Sequence, residues 1–563
     1  HQLPPPAITL VFSTNANAKA ASLFQFNTSL NTNAQELAAA TSSNSMGDAA
    51  ATGVVSEEEE HIFRSRFPAV TVPDDVTVPE FVLAGAEAHA DKVALVEAAP
   101  GGRRYTYGEV ARDVSRFARA LRSVGVRKGH VVVVALPNLA VYPVVSLGVM
   151  AAGAVFSGVN PRAAAAEIRK QVEDSEARLV VANEVAFDKV KDAGNGVPVI
   201  FVGESGGEVP AGAIGWDELL AAADRTGAAV VAVEPVQQSD LCALPYSSGT
   251  TGVSKGVMLS HRNLVSNLCS SMFGVGKETE GEVVTLGLMP FFHIYGITGI
   301  CCATLRHKGT VVVMDRFDLR AFLRALVAHR VAFAPIVPPV MLAMVKSPIV
   351  DAEFDLSDLA LRSVMTAAAP LAPDLLAAFQ EKFPGVQVEE AYGLTEHSCI
   401  TLTHAADPAR AAKRNSVGFI LPNLEVKFVD PETGRSLPKN TPGELCVRSQ
   451  AVMQGYYKNK EETELTIDAD GWLHTGDVGY IDDDGDVFIV DRIKELIKYK
   501  GFQVRIMYTS PIDRAELLLA HTDAPFRSSH CSVLFFFCYQ VAPAELEAIL
   551  LSHPSVEDAA VFG

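Results

Sequence analysis

Residues 244–256 read LPYSSGTTGVSKG. A short apolar run ends at Tyr246. Six small or hydroxylic residues follow (Ser247, Ser248, Gly249, Thr250, Thr251 and Gly252), and Lys255 stands just beyond them. Residues without bulky side chains let several backbone N–H groups approach one anion. The hydroxyls add donors and the lysine adds a point charge. The stretch has the chemistry of a phosphate cradle set between apolar segments. It is not a Walker A loop, because GxxxxGK[ST] does not fit it. The competing reading is a flexible Ser/Gly surface loop.

On both sides of this loop, from about Phe63 onward, β-branched runs alternate with Ala/Leu-rich stretches. Val131–Leu136, Leu179–Ala182, Val199–Val202, Val311–Met314 and Val331–Pro335 are predicted strands. Leu319–Arg330 carries apolar residues at spacings of three and four and is a predicted helix packed on a core. The alternation predicts an α/β fold with largely buried sheets and no fixed-period repeat. Val131–Val159 is uncharged and long enough to pass for a membrane span, but Pro137, Asn138 and Pro143 interrupt it. A strand, a buried helix near Val144–Ala152 and a second strand fit it better. No basic region followed by an apolar core opens the chain, so no secretory signal is read there.

Length and charge bound the function. The 563 residues suggest two to four domains, and 48% hydrophobic with 20% charged residues is a globular balance. The net charge of −19 repels phosphates at long range, so a nucleic-acid coat is disfavoured and any phosphate must be held by local donors. Eight scattered cysteines without a CxxC pair read as buried reduced thiols, which suits a cytoplasmic compartment.

Further motifs follow the loop in order: Tyr392-Gly-Leu-Thr395-Glu396, then Gly443-Glu-Leu-Cys-Val-Arg448, then Gly471-Trp-Leu-His-Thr-Gly-Asp477. Last comes Asp491-Arg492-Ile-Lys494-Glu-Leu-Ile-Lys498-Tyr-Lys500-Gly-Phe-Gln503. Together they make the chain similar to the adenylate-forming enzymes, which include acyl-CoA synthetases, firefly luciferase and peptide-synthetase adenylation domains. The chain looks most like the plant 4-coumarate:CoA ligases and their ligase-like relatives. The resemblance runs from about Phe63 to the end. It implies a large multi-subdomain N-terminal adenylation domain (46–492) and a small mobile α+β C-terminal domain, here partial (493–563). It also implies a reaction in two halves: a carboxylate attacks the α-phosphate of ATP to give acyl-AMP and pyrophosphate, then the CoA thiol displaces AMP. The implied partners are a small-molecule acid, ATP and CoA, with Mg²⁺ as cofactor.

By this resemblance the Ser247–Gly252 loop and Lys255 hold the β- and γ-phosphates. Thr395 contacts the α-phosphate, Glu396 binds Mg²⁺, Tyr392 stacks on adenine and Ala368 borders the nucleotide. Asp477 takes both ribose hydroxyls, and Arg492 is a second ribose contact. His293, in Pro-Phe-Phe-His-Ile-Tyr, lies between the acyl site and the CoA tunnel. Lys494 is the hinge, and Lys498 and Gln503 serve the thioester step. Each residue alone also has a plain reading: a turn for Asp477, a core aromatic for Tyr392, a structural histidine for His293. The four cations from Arg492 to Lys500 also read as a solvated face.

The acyl pocket departs from that of true coumarate ligases. Ile294, Tyr295 and Gly393 match the family set. Thr298 stands for an Asn, Ile336 for a Met, Met365 for a Lys, Ala367 and Ala391 for glycines, and Cys399-Ile400-Thr401 for a Pro-Val-Leu triplet. The pocket becomes more apolar with few polar anchors. Residues 390–404 resemble the ligase-like synthetases of the plant anther. A medium- or long-chain (hydroxy) fatty acid is therefore favoured over a hydroxycinnamate.

Three features do not fit an intact member. Residues 1–45, before the first methionine Met46, read as a non-native leader. The 37 residues Val504–Gln540 separate Gln503 from the family's Val541-Ala-Pro-Ala-Glu-Leu-Glu547 and read as a translated intron. The family's Ser-Gly-Lys motif with its catalytic lysine is absent from the sequence given. The chain is expected to bind ATP and acid but to turn over poorly. The rival readings are a binding-only product of a mis-spliced gene and a luciferase-like oxygenase.

Overall fold

The computed structural model describes residues 60–191, 196–204, 206–226, 234–247, 254–273, 280–355, 359–367, 371–402, 413 and 415–492, with the short strands 9–12, 498–499, 502–503 and 558–561. The chain divides into two units, His61–Val490 and a second made of residues up to Glu60 together with Asp491 onward. In the second unit Thr9–Phe12 runs parallel to Asp558–Val561, and Lys498–Tyr499 pairs antiparallel with Phe502–Gln503. Most of the expected leader, the hinge Lys494 and the segment 504–540 lie outside the described residues.

The unit His61–Val490 is α/β, as its alternating pattern requires. One sheet runs in the order 246–247, 255–260, 241–243, 155–158, 131–135, 179–182, 199–201 and 214–215, and Gly455–Tyr456 pairs with Lys255–Ser260. Its central strands are parallel and buried on both faces. Val132 and Val134 enter one core, while Val131, Val133 and Ala135 enter another. That two-sided burial explains why Val131–Ala135 reads as an unbroken apolar run. The uncharged stretch resolves into Val131–Ala135, the helix Tyr142–Ala151 and Val155–Gly158. No helix among the described residues is long and apolar enough to cross a membrane.

The second sheet is mixed. Strands 93–97, 310–313, 284–287, 333–336, 363–366 and 387–394 lie parallel to their neighbours. At Gln387–Leu394 the sheet changes character. Ser398–Leu402 returns antiparallel, and strands 418–420, 486–492, 473–481, 443–448 and 425–429 continue from it. Alternation again separates two cores. Val364, Ala334 and Ile336 pack under Phe322, Met341 and Phe379, while Met365 packs on the opposite core. Predicted boundaries shift by one or two residues. The helix Leu319–Arg330 stops at Ala328, and Val331–Pro335 becomes Phe333–Ile336.

Asn138, which reads in the sequence as an interruption, is a buried clamp. Its Oδ1 accepts from Phe291 N at 2.8 Å, and its Nδ2 hydrogens face the carbonyls of Gly287, Leu288, Met289 and Met314 within 3.3 Å. It thereby ties the end of the first sheet to the strand ends that lead into Pro290–Tyr295. Asn138→Ala strands this set of buried polar groups. It is expected to lower the free energy of unfolding by about 2 kcal/mol, read from the urea midpoint.

Candidate functional site

The described flanks of the opening motif pair antiparallel, Tyr246 with Gly256 and Ser247 with Lys255, as the two arms of a hairpin. Ser254 Oγ donates to the Ser247 carbonyl at 3.1 Å and closes the base. Ser248, Gly249, Thr250, Thr251 and Gly252 lie outside the described residues, as does Ala368.

At the base of this hairpin lies a polar group that joins three distant segments. Glu396 is 7% exposed, and its Oε1 accepts from Ser247 Oγ and from Tyr456 OH, each at 3.0 Å. Lys255 Nζ pairs with Glu462 and stands 5.0 Å above the Tyr456 ring. Tyr456 and Glu462 have no signature in the sequence. Only the pairing of Gly455–Tyr456 with Val257–Met258 brings them here. Among the described residues no hydrogen bond reaches the second carboxylate oxygen of Glu396. One open carboxylate oxygen is what a magnesium ion needs from protein when phosphates and waters complete its shell, so the residues present fit the ion.

Thr395, Glu396 and His397 form the turn between Gln387–Leu394 and Ser398–Leu402. The turn depends on Gly393. A Cβ there would lie 2.0 Å from the Ser398 carbonyl oxygen, and Ser398 itself has φ +70°. Tyr392 OH donates to Asp477 Oδ2 at 2.6 Å, so the residues expected at adenine and ribose touch directly. Asp477 is 6% exposed, on the strand Leu473–Ile481. The helix His261–Ser271 steadies the turn. Asn267 Nδ2 donates to the carbonyls of His397 (3.2 Å) and Cys399 (2.8 Å). Asn263 Nδ2 donates to those of Gln450 and Val452, both at 2.8 Å. Arg492 is exposed at the end of the strand Asp486–Arg492. Lys498 and Gln503 are register partners across their hairpin.

The expected acyl residues gather in one core. Ile294, Ala391 and Ile400 are buried there, with Tyr295, Met365, Ala367 and Cys399 packed against them. Tyr295 OH donates to Met365 Sδ at 3.1 Å, and burial raises the phenol's pKa. The two threonine hydroxyls spend their protons within the protein. Thr298 Oγ1 bonds back to Ile294 O at 2.5 Å, and Thr401 Oγ1 to Val417 O at 2.8 Å. Burial pushes the Cys399 thiol up to about 12, so it stays neutral. Ile336 belongs to the other core, because its register partner is Thr366 rather than Met365. His293 is solvent-accessible, and partial desolvation lowers its pKa, so its imidazole is neutral at pH 7. The adjoining Phe292 lines a cavity of about 340 Å³ with Asn138, Asn160, Arg162 and Arg316.

Glu389, which no sequence motif marks, is brought beside Met365 by strand pairing. It is the register partner of Met365 on the adjacent parallel strand, so both side chains stand on one sheet face. Burial pushes its carboxyl up to about 7, against a hydrogen bond from Ser363.

The sequence pattern of the AMP-binding enzymes matches residues 83–457. 4-Coumarate–CoA ligase-like 9 of Oryza sativa subsp. japonica is 79% identical over 522 residues, which cover 92% of this chain and 86% of the relative. The chain belongs to the AMP-binding enzymes. Within them it is an acid–thiol ligase of the 4-coumarate–CoA ligase-like family. 4-Coumarate–CoA ligase-like 1 of Arabidopsis thaliana is 61% identical over 508 residues, covering 90% of this chain and 85% of that one. 4-Coumarate–CoA ligase 1 of Petroselinum crispum is 36% identical over 514 residues, again covering 90% and 85%. Among solved structures, ATP-bound MatB from Rhodopseudomonas palustris superposes with a TM-score of 0.66 at 25% identity, over 79% of this chain and 83% of that one. The luciferase-like enzyme of the nonluminescent mealworm Zophobas morio gives 0.67 at 23% identity, over 78% of this chain and all of that one, a likeness of fold.

Two outcomes test this geometry. Gly393→Ala is expected to disrupt the turn and to weaken ATP binding at least tenfold in calorimetry, because backbone cannot move 1 Å here without displacing Thr395 and Glu396. For Glu389, the folded protein keeps a proton that the unfolded chain releases near 4.5. Its contribution to stability therefore falls as pH rises from about 4.5 to about 7 and stays lost above that. Glu389→Gln keeps the neutral shape. It is expected to leave the thermal midpoint nearly unchanged at pH 5 and to raise it at pH 8.

Proposed function

We propose that this ligase activates a medium- or long-chain fatty acid, hydroxylated or not, through acyl-AMP to acyl-CoA. The observation that carries the choice of acid is the Tyr295–Met365 contact beside a Thr298 hydroxyl turned back on its own helix. A charge and an amide are replaced by a thioether and a satisfied hydroxyl. An aliphatic chain loses nothing in such surroundings, whereas a phenolic hydroxyl would leave water for few polar partners, Glu389 among them.

The nucleotide half follows from the polar group under the hairpin. Lys255 and the Ser247-led loop neutralise the triphosphate. Asp477, with two acceptor oxygens in one plane, receives the ribose hydroxyls while Tyr392 lies against adenine. Glu396 would hold Mg²⁺, which when bound neutralises phosphate charge. The acid's carboxylate oxygen attacks the α-phosphorus and pyrophosphate leaves. The thiolate of CoA then forms the thioester bond at the acyl carbon as the bond to AMP breaks. The cavity beside Phe292 carries Arg162, paired with Asp315, and Arg316 at its wall, which supports a role for it in holding the phosphate-bearing arm of CoA. On this reading residues 46–492 hold ATP and the acid for the first half-reaction, which is slow in this chain. Residues 493–563, interrupted at 504–540, serve the second, which is the weaker in this chain.

The test uses non-hydrolysable coumaroyl-AMP and dodecanoyl-AMP mimics, titrated by calorimetry into the full chain. Dodecanoyl is expected to bind at least tenfold more tightly. Tighter coumaroyl binding would restore a phenylpropanoid ligase. In the complete reaction, acid-dependent pyrophosphate release is expected to exceed acyl-CoA formation.

A further inference from the structure

Asp477 stands on an irregular stretch of strand. Cys446 pairs with His474 and Glu444 with Val478, so Leu445 alone opposes Thr475, Gly476 and Asp477. Two extra residues on one strand make a bulge, a device that re-aims a side chain out of the pleat. Gly476 at its apex has φ +73°, the left-handed region that glycine enters without cost.

A bulge of this kind has lost its ladder hydrogen bonds, and here side chains replace them. Glu444 Oε1 accepts from Gly476 N at 3.1 Å, and its Oε2 accepts from His474 Nδ1 at 2.8 Å. Thr475 Oγ1 donates to Leu445 O at 2.7 Å and accepts from Asp477 N at 3.1 Å. On its far side the His474 ring has Nε2 3.6 Å from Asp468 Oδ2. The imidazole therefore lies between two carboxylates, and its pKa is raised, chiefly by the hydrogen bond to Glu444. Cys446 Sγ, 3.4 Å from the same Nδ1, completes a set of donors of the kind that bind metals. The 2.8 Å between Glu444 and His474 is a hydrogen bond. Two ligands of one tetrahedral zinc ion stand about 3.3 Å apart at bond lengths of ~2 Å.

We propose that Glu444 and His474 are positioning residues for nucleotide binding: together they fix the bulge that aims the Asp477 carboxylate at the ribose. Glu444 holds the bulge on one side of Asp477, and the 2.6 Å bond to Tyr392 holds the carboxylate itself. This rests on the reading of Asp477 as the ribose acceptor. Neither residue touches the nucleotide. Their effect is confined to ligands that carry a ribose.

The experiment titrates ATP and inorganic tripolyphosphate into the full chain by calorimetry, for the unaltered protein and for Glu444→Ala, Glu444→Gln, His474→Asn, Asp477→Asn and Glu444→Ala/Asp477→Asn. Urea midpoints confirm that each variant is folded. Glu444→Ala is expected to weaken ATP about tenfold and to leave tripolyphosphate unchanged. Glu444→Gln, which keeps an acceptor for Gly476 N, is expected to weaken it less, and if the alanine variant does not fold, this variant and His474→Asn carry the test. The double variant is expected to bind ATP no worse than Asp477→Asn, because both changes remove one interaction. The proposal is overturned if Asp477→Asn weakens ATP while the Glu444 and His474 variants do not. Additive losses in the double variant overturn it too, as does an equal loss of tripolyphosphate, which would mark general structural damage. If Asp477→Asn itself leaves ATP affinity unchanged, the ribose reading fails first and the proposal falls with it.

Discussion

Two asparagines one helical turn apart hold the site's separate pieces in register. Asn263 and Asn267 lie on one face of His261–Ser271, and that helix begins where the hairpin strand Lys255–Ser260 ends. Each uses its side-chain amide to serve two main-chain carbonyls: one pair leads into Gly455–Tyr456, the other flanks the turn that carries Glu396. A primary amide is the neutral side chain that offers two N–H donors from one atom. Both residues are nearly buried, at 8% and 4% exposure, so water cannot replace either. The contacts among Ser247, Glu396 and Tyr456 depend on that single helix keeping three chain segments at fixed spacing.

The legible parts of the sequence were those whose signal is local. Val131–Ala135 and Leu179–Ala182 read correctly because a strand buried on both faces has to be apolar at every position. The small-residue run ending at Lys255 was legible as a motif because small residues between apolar runs have few other uses, whereas the hairpin pairing of its flanks was not. Element ends were less so: at Leu319–Ala328 the apolar spacing continues past the point where the helix stops. Illegible were single polar residues whose partners lie far along the chain. Asn138 and Phe291 are 153 residues apart, and Lys255 and Glu462 are 207 apart. No short pattern records such a pairing, and an asparagine in an apolar stretch looks like a break until its carbonyl partners are known.

The acyl residues show how far a resemblance carries and where register takes over. Tyr295, Met365 and Ala391 fall in one core. Ile336 comes from an equally matched position, yet one residue of alternation puts it in a different core from Tyr295. Glu389 illustrates the converse. Nothing in the motif marks it, but its place opposite Met365 puts an acid on the same sheet face as that thioether. A lining inferred from matched positions is thus only as good as the strand pairing beneath it.

Lys255 has one further consequence. Its ammonium group is paired with Glu462 and largely shielded, with the side chain 10% exposed. On the proposed reading a polyphosphate must compete with a resident carboxylate for this cation. A weakly charged visitor, such as inorganic phosphate or chloride, gains too little to displace Glu462, while a tetra-anion gains enough. The pair then acts as a threshold on ligand charge. It leaves the cation masked from the many small anions around it and available to the few molecules that carry several negative charges in a row.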